Sequence, residues 1–301
     1  MSYPYLGDFL RTGVGVNVPL PIPMFGIFVA LAVALAARVF ALNIRRAEAF
    51  ARLPAGSDRV VSDLTAVTLL AGIIGARLFD LLDHLPRLAS DPAALIFSRS
   101  GFSIYGGLLF GAAAGIWLVR RRGLPVMAML DSVAPALLLG YAIGRIGCQV
   151  SGDGDWGIAA DLAPKPGWLP TWLWAQTYQG NILGVTISSP GVYPTPIYES
   201  VAALLMFSLL QRWAKRPRAL GSIFAIYLLC SGFERLLIEK IRINPRLHLF
   251  GFAFTQAELI SVFTILGGIG MLMFVLPHER RWLRLGIPFA LVTLLSACVA
   301  V

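Results

Sequence analysis

The chain has 301 residues, of which 57% are hydrophobic and only 14% charged, with a mean hydropathy of +0.75 and a net charge of +9. Soluble domains carry about a quarter charged residues, so this composition excludes an ordinary soluble domain and points to a polytopic membrane protein. The positive balance sits in arginines of short links and not on a basic face, which argues for orientation in a membrane and against nucleic acid as a partner.

Residues 1–22 form an arm without the basic region, apolar core and small-residue cleavage site of a removable leader. Runs of about 20 apolar residues match roughly 30 Å of hydrocarbon. They predict spans near 23–43, 60–82, 102–119, 125–148, 194–213, 219–240 and 254–276, with a possible extra span at 284–301. Every second link is basic: Arg45, Arg46, Arg52 and Arg59 after the first span, "RRRG" after the third, "QRWAKRPR" after the fifth, "HERRWLR" after the seventh. The positive-inside rule then places the N-terminus and the long Gly-, Pro- and Trp-rich link at about 149–193 on the extracytoplasmic side.

The fold class that follows is an all-α integral membrane protein, a single transmembrane domain over 1–301. It is read as a bundle of seven to eight helices with a polar cavity in the outer-leaflet half. Cys148, Cys230 and Cys298 lie in or beside apolar runs and form neither a disulfide framework nor a metal spacing, so no metal or cofactor is expected.

Ionisable residues inside the spans carry the functional signal, because each costs at least about 2.5 kcal/mol on insertion scales. On this topology Arg77, Tyr105, Arg145, Glu199, Arg235, Glu239 and Glu258 all fall at the outer-leaflet depth of their spans. Arg235, Glu239 and Arg242 are spaced i, i+4, i+7 and are expected on one helix face. "GRIGCQVSGDGDWG" ends the fourth span with Arg145, a five-donor fork suited to a phosphate, followed by Asp153 and Asp155, either of which could orient it. Gly106 and Gly107 beside Tyr105 are expected to open room for a chain or headgroup. For Arg77 and Glu199, structural pairing stands beside a chemical role. Polar residues at one depth only argue against a transporter for an anionic solute.

Five landmarks in order, "GARL", "SIYGGL", "GRIGC…GDGDWG", "YPTPIYE" and "FERLLIE", resemble the prolipoprotein diacylglyceryl transferases over about residues 20–275. The resemblance implies a multi-pass enzyme of the bacterial plasma (inner) membrane with its site facing outward. It moves the diacylglyceryl group of phosphatidylglycerol onto the lipobox cysteine of a prolipoprotein signal peptide and releases glycerol phosphate. It implies Arg145 and Arg235 as the essential arginines, Glu239 as partner of Arg235, and Asp153 or Asp155 at the family's glutamate. Tyr105 stands in the proton-handling position, and Arg77, Gly106, Gly107, Tyr198 and Glu199 line the lipid site. Membrane lipid is the other partner implied. Five residue departures are visible: Tyr105 replaces a histidine, Cys148 an asparagine, Ser231 a tyrosine, Tyr193 the histidine of the fifth-span element and Phe25 the tyrosine of the first-span element. They keep open a paralogue with a different lipid or acceptor, or a non-catalytic phospholipid-binding membrane protein.

Overall fold

The computed structural model describes residues 1–18, 20–84, 103–249 and 252–275. It is mostly helical. A short α1 (Leu6–Phe9) continues into a π-turn (Leu10–Val14), and the long helices are α2 (Met24–Ala49), α3 (Val60–Asp83), α4 (Ile104–Arg121) and α5 (Val126–Ser151). After the one-turn α6 (Thr171–Trp174) come α7 (Thr195–Trp213), α8 (Ser222–Glu239), the antiparallel pair β1 (Arg246–Leu249) and β2 (Phe252–Thr255), and α9 (Gln256–Val275). A long helix thus lies on each of the seven predicted spans. The eighth, at 284–301, lies outside the described residues.

Among the described residues four stretches, Met24–Ala49, Ser57–Leu82, Val126–Ser151 and Gln256–Val275, are long and apolar enough to cross a membrane. The remaining long helices are diluted by polar residues: Arg120 and Arg121 in α4, Glu199 and Arg212 in α7, and Glu234, Arg235 and Glu239 in α8. Large apolar side chains such as Leu70, Leu108, Phe263 and Phe274 are exposed on the long helices, a surface that water would reject and hydrocarbon would cover. The architecture is that of an all-α membrane protein.

The chain divides into two compact units, one of residues 37–132, the other of 1–36 with those from 133 on. In the 37–132 unit, α3 and α4 pack through small residues. A Cβ at Gly106 would stand 2.2 Å from the Gly75 carbonyl oxygen, and one at Gly75 would stand 2.5 Å from that of Gly106. Only glycine at both positions lets the two backbones touch. Ser103 donates its backbone N–H to the Ala76 carbonyl at 3.0 Å and fastens the start of α4 to α3.

In the other unit, Ala134 and Leu138 of α5, Leu210 of α7 and Ile223 of α8 form one buried cluster. Ala225, Leu229 and Leu236 of α8 form a second with Ile265 and Leu272 of α9. The arm is fixed to the same unit. Ser2 donates to the Gln179 carbonyl, Tyr3 to that of Val150, and Met24 to that of Pro4, each through its backbone N–H at 2.7–2.8 Å.

Candidate active site

Three helix ends and two loop segments of that unit bring six ionisable side chains together. Arg145 comes from the C-terminal part of α5, Glu199 from the first turns of α7, and Arg235 and Glu239 from the last turns of α8. Asp155 lies in the loop after α5, and Arg242 lies just past the end of α8.

Glu199 is the hub and is fully buried. Arg242 donates Nη1 to its Oε1 at 3.1 Å, and Arg235 donates Nη1 to the same oxygen at 3.4 Å. Arg145 Nε stands 2.7 Å from Oε2 as a close ion pair, off the line of a hydrogen bond. Asp155 bridges two of these arginines, with Oδ1 2.5 Å from Arg242 Nη2 and Oδ2 against Arg145 Nη1. Arg235 Nη2 pairs with Glu239 Oε2 at 2.9 Å, and Asn244 Nδ2 donates to Glu239 Oε1 at 2.7 Å. The Arg145 guanidinium also lies over the Tyr141 ring, 5.1 Å from its centre. An unpaired buried charge costs several kcal/mol, so three guanidinium groups matched by three carboxylates is the composition that burial demands.

The loop that presents Asp155 has clear local causes. Gly152 and Gly154 sit at φ +62° and +99°, where side chains are strained, and they turn the chain back after α5. Trp156 is buried on the Tyr178 ring, 4.9 Å between centres. Gly157 donates its N–H to Tyr193 and Ile158 to Ile241, both at 2.8 Å, and Thr195 Oγ1 donates to the Asp155 carbonyl at 2.7 Å. The loop is thereby stitched to the segments that carry Arg242 and Glu199. Burial opposes ionisation of Asp155, but the Arg145 and Arg242 guanidiniums outweigh it and hold its carboxyl below the usual range. Burial instead pushes the neighbouring Asp153 up, helped by the Asp155 charge. Of the two candidates, Asp155 is the one that orients the arginines. Asp153 accepts the Asp155 N–H at 3.3 Å through Oδ1.

Other expected site residues are placed differently. Gly106 and Gly107 open no room for a lipid, since the α3 backbone at Gly75 and Gly72 occupies the space that their missing side chains leave. Arg77 pairs with Asp80 at 3.2 Å within α3, the structural alternative for that residue. Tyr105 is partly exposed near the start of α4. Tyr198 donates its hydroxyl to the Leu173 carbonyl at 2.6 Å, so it ties α7 to the long loop between α5 and α7. Glu258 caps α9, exchanging hydrogen bonds with Thr255 at 2.9 and 3.1 Å.

Arg242 is what sequence reasoning undervalued. Its i+7 spacing suggested a shared helix face, yet α8 stops at Glu239, and the arginine reaches the hub from the non-helical segment beyond. Glu234, beside Arg235, was also passed over; its Oε1 is buried without a hydrogen-bond partner among the described residues. Cys148 packs at the rim, Sγ 3.9 Å from Arg145 Nη1. The Cys148, Asp153 and Asp155 donor atoms lie within 4.8 Å of one another, a spacing that a metal ion could use. Asp155, however, already has both oxygens on arginines.

Long apolar helices that carry a buried, charge-balanced arginine cluster at their ends are those of a membrane protein with an ionic site. The chain belongs to the prolipoprotein diacylglyceryl transferase family, whose model matches residues 14–274. It is 32% identical over 197 residues to the phosphatidylglycerol–prolipoprotein diacylglyceryl transferase of Leptospira interrogans, a match that covers 58% of each chain and so less than two thirds of that relative. The proteins of that name from Azotobacter vinelandii and Parasynechococcus marenigrum are 29% and 31% identical. Those matches cover 80% and 73% of this chain and 86% and 76% of theirs.

Proposed function

We propose that the protein transfers the diacylglyceryl group of phosphatidylglycerol to the lipobox cysteine thiol of prolipoproteins, at an extracytoplasmic site of the bacterial plasma membrane. The observation that carries the reading is the convergence of Arg145 and Arg235, on separate helices, upon the single Glu199 carboxylate. Seven or eight helices cross, and the loop after α5 faces outward, as the alternation of basic links requires.

The phosphodiester of the lipid sits against the Arg145 and Arg235 guanidiniums, with its acyl chains left in the bilayer. The peptide thiol loses its proton to a base at the site, since the thiolate is the nucleophile. Asp153 and Asp155 are the candidates for that base. The sulfur attacks the glyceryl carbon, the carbon–oxygen bond to phosphate breaks, and glycerol phosphate leaves with the electron pair. The arginines are placed to stabilise the second negative charge that develops on it.

The test is transfer of labelled diacylglycerol from phosphatidylglycerol to a lipobox peptide by the purified protein. Arg145→Lys and Arg235→Lys should each lower the rate by about 10²-fold or more, because a lysine cannot reproduce the guanidinium fork. Full activity in either variant removes the two-arginine clamp. Exchanging the lipid or the peptide in the same assay identifies a relative with altered substrates.

A further inference from the structure

The charges of the site are balanced before any lipid arrives. Arg145, Arg235 and Arg242 face Asp155, Glu199 and Glu239, so no net positive charge remains for a phosphodiester. An anion of charge −1 is bound well only if one carboxylate gives way. The three are not equivalent. The Glu199 and Glu239 side chains are 0% and 1% exposed, whereas that of Asp155 is 35% exposed. Glu199 is also held by three arginines and Glu239 by Arg235 and Asn244.

Asp155 touches its arginines as a phosphate would. Its two oxygens reach one guanidinium each, Oδ1 to Arg242 and Oδ2 to Arg145, the pattern of the two free oxygens of a phosphodiester between two forks. Its backbone is held by Thr195 Oγ1 on the carbonyl and Asp153 Oδ1 on the N–H. Departure of the carboxylate is therefore a side-chain rotation that needs no opening of the loop.

We infer that the Asp155 carboxylate is the resting occupant of the headgroup seat, and that the phosphodiester of an entering phospholipid displaces it from Arg145 and Arg242. Displacement leaves the cluster with one net positive charge, which the phosphate neutralises. It also makes Arg242 a third phosphate contact beside the two arginines of the transfer reading. The occupied seat keeps the guanidiniums paired while no lipid is present, and it sets a threshold that neutral lipids cannot cross.

The choice of lipid rests on the proposed function, whereas displacement itself is read without turnover. Glycerol phosphate is titrated calorimetrically into the purified full chain in detergent. Removing the competing carboxylate in Asp155→Asn should tighten binding by about 3- to 10-fold, and Arg242→Gln should weaken it by at least about threefold. In the transfer assay Asp155→Asn should lower the KM for phosphatidylglycerol, the opposite of losing a residue that only aims the arginines. Binding that is unchanged or weaker in Asp155→Asn overturns the inference. Asp155→Ser is the second variant should the amide fail to fold, and loss of the fold in both would make Asp155 a structural tie and equally overturn it. Tighter binding without transfer by the wild type would leave displacement standing and sink the transferase reading.

Discussion

The α3–α4 pair and the arginine cluster handle membrane packing in opposite ways. Between α3 and α4 the chain removes side chains altogether, so that Gly75 and Gly106 bring backbone against backbone. Charge near this pair stays local or outside: Arg77 answers Asp80 three residues on, and Arg122 meets Asp63 at 2.5 Å with both side chains about half exposed. Around Glu199 the chain gathers charge from distant segments and buries it. Close packing needs only small residues at the right spacing, whereas a buried carboxylate among three guanidiniums has no packing purpose that apolar residues would not serve as well. That contrast is the reason we propose the second region as the functional one.

The largest effect that would break the contrast is loss of the hub. Glu199→Ala leaves three guanidiniums short of a buried partner and should cost about 3–5 kcal/mol of stability, with transfer abolished. Thermal unfolding in detergent beside the transfer assay checks it. A variant as stable as the wild type would make the cluster ordinary surface charge. Gly106→Ala should cost about 1–3 kcal/mol by forcing α3 and α4 apart, again read by thermal unfolding. Unchanged stability would mean that the two backbones do not touch. Asp63→Asn, at an exposed pair, should change stability by less than about 1 kcal/mol.

Acid sharpens the comparison further. Asp155 ionises below the ordinary carboxylate range when folded, against burial, because Arg145 and Arg242 favour its charged form. It contributes its full stabilisation above that range and loses it as the pH falls through the folded value. Asp155→Asn should therefore make the acid limb of the stability profile shallower. An unaltered limb would mean that the pairing is not present in solution.

Much of this was legible in the residues alone. Apolar runs of about 20 residues, the length that hydrocarbon thickness suggests, located the seven long helices among the described residues. Arg145, Glu199, Arg235 and Glu239 stood out because charge inside such runs is costly. What escaped has a common physical origin. Depth along a span is readable, but the direction in which a side chain leaves its helix is not. Arg77 and Glu258 therefore share the expected depth of the site residues, while in the structure one pairs within its own helix and the other caps one. Arg242 was obscured by a helix end that no glycine or proline announces, and Asp153 and Asp155 differ only by how an irregular loop is pinned.

The central claim is that guanidiniums of separate helices hold one phospholipid head. A structure of the protein in a nanodisc with phosphatidylglycerol bound tests it most directly. The account predicts the phosphate within hydrogen-bond distance of Arg145, Arg235 and Arg242, with the Asp155 side chain turned away. A phosphate lodged elsewhere, with the arginines still on their carboxylates, would contradict it.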